Sequence, residues 1–140
     1  MDMIKDCHVG VKGIICINDE CLVLQKGVGD NAYWDIPGGR IDEGETLHAT
    51  LTRELHEELP CIKEFSIHDV VGAYRLDRDL EGGQGLVLIF YKVTAEPFDM
   101  VLSPEHTDYK WVRKETLPEL HDSTVSIKSE LYSILEKILG

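Results

Sequence analysis

Apolar and polar positions along the chain alternate in blocks that predict strands, then a helix, then strands again and a closing helix. His8 to Ile17 is rich in Val and Ile, as is Cys21 to Leu24, and Asn18-Asp19-Glu20 between them is turn chemistry, so a hairpin is expected. Lys26 to Asn31 carries two glycines and reads as a loop, followed by a short strand, Tyr33-Trp34-Asp35-Ile36, that breaks at Pro37-Gly38-Gly39. Leu47, Leu51, Leu55 and Leu59 then recur at every fourth position, which predicts a helix from about Thr46 to Leu59 that Pro60 stops. Val70 to Tyr74 reads as a strand and Asp77 to Gly85 as a loop. Leu86 to Val93 is apolar nearly throughout, the pattern of a central strand covered on both faces. A loop from Glu96 to His106 leads to a short strand at Tyr109 to Val112. A last helix is expected from a cap at Asp122 or Ser123, with Ile127, Leu131, Ile134, Leu135 and Ile138 on one face. Strands and helices interleave without an internal repeat, so the expectation is one domain over residues 1–140, an α/β sandwich with a mixed sheet between helices.

Composition adds limits to this picture. The 140 residues suit one domain with its own core. Fourteen Lys and Arg against 26 Asp and Glu give a net charge of −12, which repels nucleic acid in the absence of a concentrated basic face, and no basic run is present. An acidic protein that handles a phosphorylated anion must neutralise it locally, and a bound divalent cation does this. The first residues do not have the pattern of a signal peptide and no apolar run is long enough to span a bilayer, so the expectation is a cytoplasmic protein without a membrane partner. Cys7, Cys16, Cys21 and Cys61 form no CxxC pair, and reduced, mostly buried thiols are expected; Cys16 and Cys21 can face one another across the hairpin.

The densest chemistry lies between Gly38 and Glu58. Glu45 follows Gly39 after five intervening residues, Arg53 follows after seven more, and Glu54, Leu55, Glu57 and Glu58 come directly behind. Glu54, Glu57 and Glu58 stand at i, i+3 and i+4, neighbours on a helix about 5–6 Å apart at Cβ. Like charges so placed repel, so a cation is expected among them. By helical angle the carboxylates adjoin the leucine ridge, and a carboxylate against apolar surface is costly without a partner. An acidic helix face is by itself most often solvated surface; the fixed spacing from Gly39 is what argues otherwise.

This spacing resembles the signature box of the Nudix hydrolases. The chain has every charged position of that box, and departs from it where Pro60 stands in place of a glycine and Cys61 in place of an aliphatic residue. The resemblance implies a Nudix-type α/β/α sandwich and a MutT-like, metal-dependent hydrolase. Its Mg²⁺ or Mn²⁺ would be held by the Gly39 carbonyl, Glu54, Glu57 and Glu58. Arg53 would orient the acidic residues of the box, with Glu45 as its partner. The substrate implied is a small molecule with a nucleoside diphosphate linked to another group, and the reaction is hydrolysis of the diphosphate. Glu54 is the first choice for general base and Glu105, in the loop SPEHTDYKW beside His106, is its rival. Tyr33 is a candidate for stacking a base, though Trp34 reads as core, and Arg75, Arg78 and Lys92 are candidates for phosphate contacts. His48 and His56 lie away from the carboxylates by helical angle. Dimers are common among similar proteins, and the alternative class of function is a nucleotide sensor that binds without cutting.

Overall fold

The computed structural model describes residues 3–140. Its first two strands, β1 (Cys7–Ile17) and β2 (Glu20–Lys26), form the expected hairpin. Asn18 and Asp19 take positive φ of 51° and 64°, the pair of left-handed conformations that a two-residue hairpin turn needs. Β-branched residues in β1 are buried on both faces: Val11 and Ile15 point to one side, Ile14 to the other. A short 3-10 turn (Gly29–Asn31) leads to β3 (Tyr33–Asp35).

The chain does not simply break at the double glycine. Gly38–Arg40 forms a strand of its own, β4, paired antiparallel with Gly10, Val11 and Lys12 of β1. β1 therefore shares one flank between two partners, β2 near its C-terminal end and β4 near its N-terminal end. Helix α1 (Leu47–Glu58) starts at Thr46, whose Oγ1 accepts the Ala49 N–H at 3.1 Å, and ends on Leu59, one residue before the proline that cannot continue it.

Strand β5 (Phe65–Arg75) is twice as long as its apolar core suggests, and β6 (Gly85–Ala95) extends beyond the expected run. β5 pairs antiparallel with β6, with shifts of register at Val70, while β6 lies parallel to β1 along ten residue pairs. β7 (Asp108–Val112) closes on β2. The last helix begins later than Asp122 or Ser123. The Ser123 hydroxyl closes a local turn on Val125, and Ser126–Ile127 forms β8, parallel to Tyr33 and Trp34 of β3. Ile127 thus leaves the predicted helical face, and α2 runs from Ser129 to Leu139.

The main sheet order is β5-β6-β1-β2-β3-β8, with β4 and β7 attached to β1 and β2. Leu51, Leu55 and Leu59 of α1 pack with Val11, Ile15, Leu22 and Leu24 on one side. Leu131, Ile134 and Leu135 of α2 pack with Ile14, Val23, Trp34 and Phe90 on the other. Two apolar layers enclosing a mixed sheet are the expected α/β/α sandwich. Among the described residues no helix is long and apolar enough to cross a membrane. The thiols depart from expectation: Cys21 is buried and Cys16 half-buried, while Cys7 and Cys61 are exposed at a strand start and just after Pro60.

Candidate active site

Strand β4 and the last two turns of α1 meet where the double glycine lies against the carboxylates. Gly38 has φ 148°, and a Cβ there would overlap the Val11 carbonyl oxygen of β1. A Cβ at Gly39 would instead overlap the carboxylate of Glu54. The first glycine is demanded by the strand and the second leaves room for an acidic side chain. One residue's backbone N–H adds to the arrangement, since Gly38 donates to Glu58 Oε2 at 2.6 Å.

Arg53 organises the solvent side of this corner. Its Nε and Nη2 hold Glu45 through both oxygens, at 2.7 and 3.0 Å, the paired geometry a guanidinium fork favours. Nη1 donates to Glu54 Oε1 at 2.8 Å and reaches Glu57 Oε2 at 3.5 Å, while Nη2 also meets the Arg40 carbonyl at 3.3 Å. Glu45 accepts further from the Asp42 N–H and the Thr50 hydroxyl. These bonds, Arg53's foremost, hold the Glu45 carboxyl down at about 2. The expected Arg53–Glu45 partnership is therefore present, and it ties the Asp42–Glu45 turn to the middle of α1.

The three box glutamates have different surroundings. Glu57 is 59% exposed and faces solvent beside Arg53. Glu54 is mostly covered between Arg53 and Gly39. Glu58 is 4% exposed, and its burial pushes the carboxyl up to about 7, against the Gly38 N–H and the Lys12 and Lys26 charges that favour ionisation. Among the described residues, no three His, Cys, Asp or Glu side chains converge into a ready cage. Mg²⁺ does not require one, because it commonly binds through one or two carboxylates plus substrate phosphates. The all-oxygen donors of Glu54 and Glu58, beside a glycine whose missing Cβ leaves the backbone open, fit a hard divalent cation.

His106 approaches from the loop before β7. Its ring is buried, with Nδ1 3.2 Å from the Ser103 hydroxyl and Nε2 3.5 Å from Glu58 Oε1 and without a hydrogen-bond partner. Burial lowers its pKa, with Lys26 acting in the same direction, so a neutral imidazole faces the Glu58 carboxyl rather than an ion pair. Glu105, proposed from the sequence as a rival base, is exposed, and it is its neighbour that reaches the box. His48 and His56 stay away from the carboxylates as expected: His48 meets the edge of Tyr91, and His56 Nδ1 lies 2.9 Å from the Thr52 carbonyl.

Lys12 was missed by sequence reasoning, although a lone lysine inside Val-Lys-Gly-Ile-Ile is a visible signal. Its ammonium is buried, bonded to Asp35 Oδ2 at 3.0 Å and to the Ile36 carbonyl at 3.3 Å. Burial works against its charge, but Asp35, helped by Glu58, outweighs it and holds Lys12 above the ordinary lysine range. Lys12 and Asp35 also line a cleft of about 570 Å³ together with Tyr33, Tyr74, Arg78 and Lys128. Tyr33 and Arg78 are thus brought to one cleft with the buried lysine. Arg75 is not among its walls; it pairs with Asp79 at 2.9 Å, because β5 carries its side chain toward the following loop. Lys92 lies elsewhere too, on a larger cavity of about 850 Å³ that holds none of the box residues. The smaller cleft is the one next to the carboxylates, because Lys12 on its wall is the strand partner of Gly38, whose N–H donates to Glu58.

Known proteins share this family and fold. The NUDIX domain model matches residues 8–133. A nucleoside triphosphatase, NudI, from Salmonella paratyphi B is 31% identical over 129 residues, covering 81% of this chain and 87% of the relative. An RNA pyrophosphohydrolase from Erythrobacter litoralis is 29% identical over 146 aligned positions, covering 89% and 86%. The crystal structure of a MutT protein from Methanosarcina mazei superposes with a TM-score of 0.74 at 22% identity, over 98% of this chain and 96% of that one. With every charged position of the box present and the family model spanning nearly the whole chain, this protein belongs to the Nudix hydrolases.

Proposed function

We propose that the protein hydrolyses a diphosphate linkage in a nucleoside diphosphate joined to another group, with Mg²⁺ or Mn²⁺ held by the Gly39 carbonyl, Glu54, Glu57 and Glu58. The observation that carries this reading is the junction at Lys12. An aromatic and cationic cleft large enough for a nucleotide opens beside a buried lysine, and the strand partner of that lysine, Gly38, donates to the innermost box glutamate. Tyr33 and Tyr74 offer ring faces for a base, and Arg78 and Lys128 supply positive charge for phosphate in a chain that is otherwise strongly acidic. Lys12, already charged, draws the substrate's anionic end toward α1.

A bound divalent ion in such a site acidifies a water and offsets phosphate charge. The chain's own residues do the rest. Glu54 takes the proton of the attacking water, and Arg53 holds that carboxylate in place through the 2.8 Å bond while Glu45 anchors Arg53 from the other side. Glu105 is left as a solvent-facing residue of the loop, with the buried His106 beside Glu58. By their names the relatives are a nucleoside triphosphatase and an RNA pyrophosphohydrolase, which differ in the molecule that carries the phosphates.

The test is a screen of nucleoside triphosphates, dinucleoside polyphosphates and nucleotide sugars with Mg²⁺ or Mn²⁺, resolving phosphate, pyrophosphate and mononucleotide products. Turnover of at least one class with release of a mononucleotide is expected. Binding without product across the whole panel would replace the hydrolytic reading with a nucleotide sensor.

A further inference from the structure

The larger cavity, unused by the proposed chemistry, contains two thiols facing each other. Cys16 of β1 and Cys21 of β2 are direct cross-strand partners, and their Sγ atoms lie 3.2 Å apart. Ile17 and Glu20 close the two-residue turn, so the next pair out is the closer, non-hydrogen-bonded kind, with Cα atoms about 4.5 Å apart in such ladders. Disulfides span Cα separations of about 4.4–6.8 Å with an S–S bond near 2.05 Å. The two sulfurs therefore need to move little, and no backbone rearrangement is required.

We propose that Cys16 and Cys21 are a redox-active dithiol that hydrogen peroxide converts to an intrachain disulfide, with Cys16 as the attacking thiol and Cys21 as the resolving one. Cys16 is half-buried and Cys21 fully covered, and both line the cavity of about 850 Å³, so a small oxidant meets Cys16 first. Lys92, Arg113 and Lys114 share that cavity with Asp19 and Glu115, and of these charges Lys92 is the one that favours a thiolate at Cys16. The hydrogen bond between the two sulfurs holds Cys16 below the ordinary thiol range, Lys92 adds to this, and burial opposes both. The same bond, with burial, pushes Cys21 up. The greater exposure of Cys16 assigns the roles.

In the first step the Cys16 thiolate attacks one peroxide oxygen and the O–O bond breaks. The leaving hydroxide is protonated to water, and Cys16 becomes a sulfenic acid. Cys21 then attacks the Cys16 sulfur, the S–O bond breaks, and its thiol proton leaves with the hydroxide as a second water. Two thiols and one peroxide give one disulfide and two waters, so the sulfurs are oxidised and the peroxide oxygens reduced.

Trypsin cuts after Lys12 and Lys26, so Gly13 to Lys26 leaves the protein as one peptide holding both cysteines. The full chain would be exposed to a small excess of hydrogen peroxide, alkylated, digested and weighed. The expected result is a Gly13–Lys26 peptide lighter by two hydrogens, unalkylated, and restored by a dithiol reductant. In Cys21→Ser the sulfenic acid should persist on Cys16 and be trapped by dimedone, whereas in Cys16→Ser the buried Cys21 should stay reduced at the same dose. A peptide alkylated at both positions while Cys7 and Cys61 are oxidised would overturn the proposal. So would sulfinic acid on Cys16 without loss of the two hydrogens.

Discussion

Gly38 and Gly39 are adjacent in sequence, yet alanine at each should do different damage. At Gly38 the backbone has φ 148°, a region that costs a residue with a Cβ about 1–3 kcal/mol. The new Cβ would also overlap the Val11 carbonyl oxygen, which belongs to β1 and cannot turn away without loosening the β4 pairing. Domains of this kind have only about 5–15 kcal/mol of stability, so Gly38→Ala should lower the unfolding midpoint by about 5 °C or more. Gly39 has no such conformational demand, and the nearest atoms its Cβ would overlap are those of the Glu54 carboxylate, the end of a flexible side chain. Gly39→Ala should therefore cost less than about 1 kcal/mol of stability, but displace Glu54 from Arg53 and reduce turnover about 10–100-fold. Thermal unfolding and steady-state kinetics on the substrate found by the screen separate the two. Equal destabilisation by both alanines, or wild-type turnover in Gly39→Ala, would refute the division of labour drawn between the glycines.

Other outcomes follow from the same corner. Glu57→Gln, at an exposed position with an ion pair to Arg53 at 3.5 Å, should keep the melting curve and cut kcat by orders of magnitude; near wild-type rates would remove Glu57 from the proposed metal shell. Arg53→Lys keeps the charge and loses the fork that grips Glu45, so kcat should fall about 10-fold or more, and a silent substitution would show that the paired geometry is dispensable. In metal-free protein, Glu58 holds its proton up to about 7 against 4.5 for an ordinary glutamate, so the unfolded chain releases it first as pH rises. The stabilisation present below pH 4.5 is therefore lost through pH 7, a fall of about 3 kcal/mol that Glu58→Gln should abolish in urea titrations at pH 5 and pH 8 with chelator. Parallel pH dependence in the two proteins would count against it. Tyr33→Ala should raise KM more than it lowers kcat; the reverse pattern would take Tyr33 out of substrate binding.

What could be read from the chain was set by how local its cause is. Helix α1 announces itself through the leucine repeat, the Thr46 cap and Pro60, all within fifteen residues, and the carboxylates come with it. The β1–β2 hairpin is legible for the same reason, since Asn18-Asp19 fixes the turn. β4 was hidden because Gly38 and Gly39 have turn-like composition, and only the distant partner β1 makes a strand of them. The start of α2 was misplaced because β8 pairs with Trp34, more than ninety residues earlier, and this parallel contact outweighs the helical periodicity of Ile127. At the site, the Arg53–Glu45 pair follows from spacing, but the approach of His106 and the burial of Lys12 depend on loops and strands that no local pattern brings together. Arg75 shows the converse, a plausible phosphate ligand by charge whose strand carries it to Asp79 instead.

β1 has consequences for how the gene can change. Side chains alternate sides along it, so the odd positions Val11 and Ile15 belong to the α1 layer while Ile14 belongs to the α2 layer and Lys12 to the cleft. Inserting or deleting a single codon inside the strand reverses that parity, pushing the ammonium of Lys12 into the leucines and an aliphatic side chain into the cleft. Length changes at the Asn18-Asp19 tip leave the parity intact, and drift in length should accumulate there rather than in the strand.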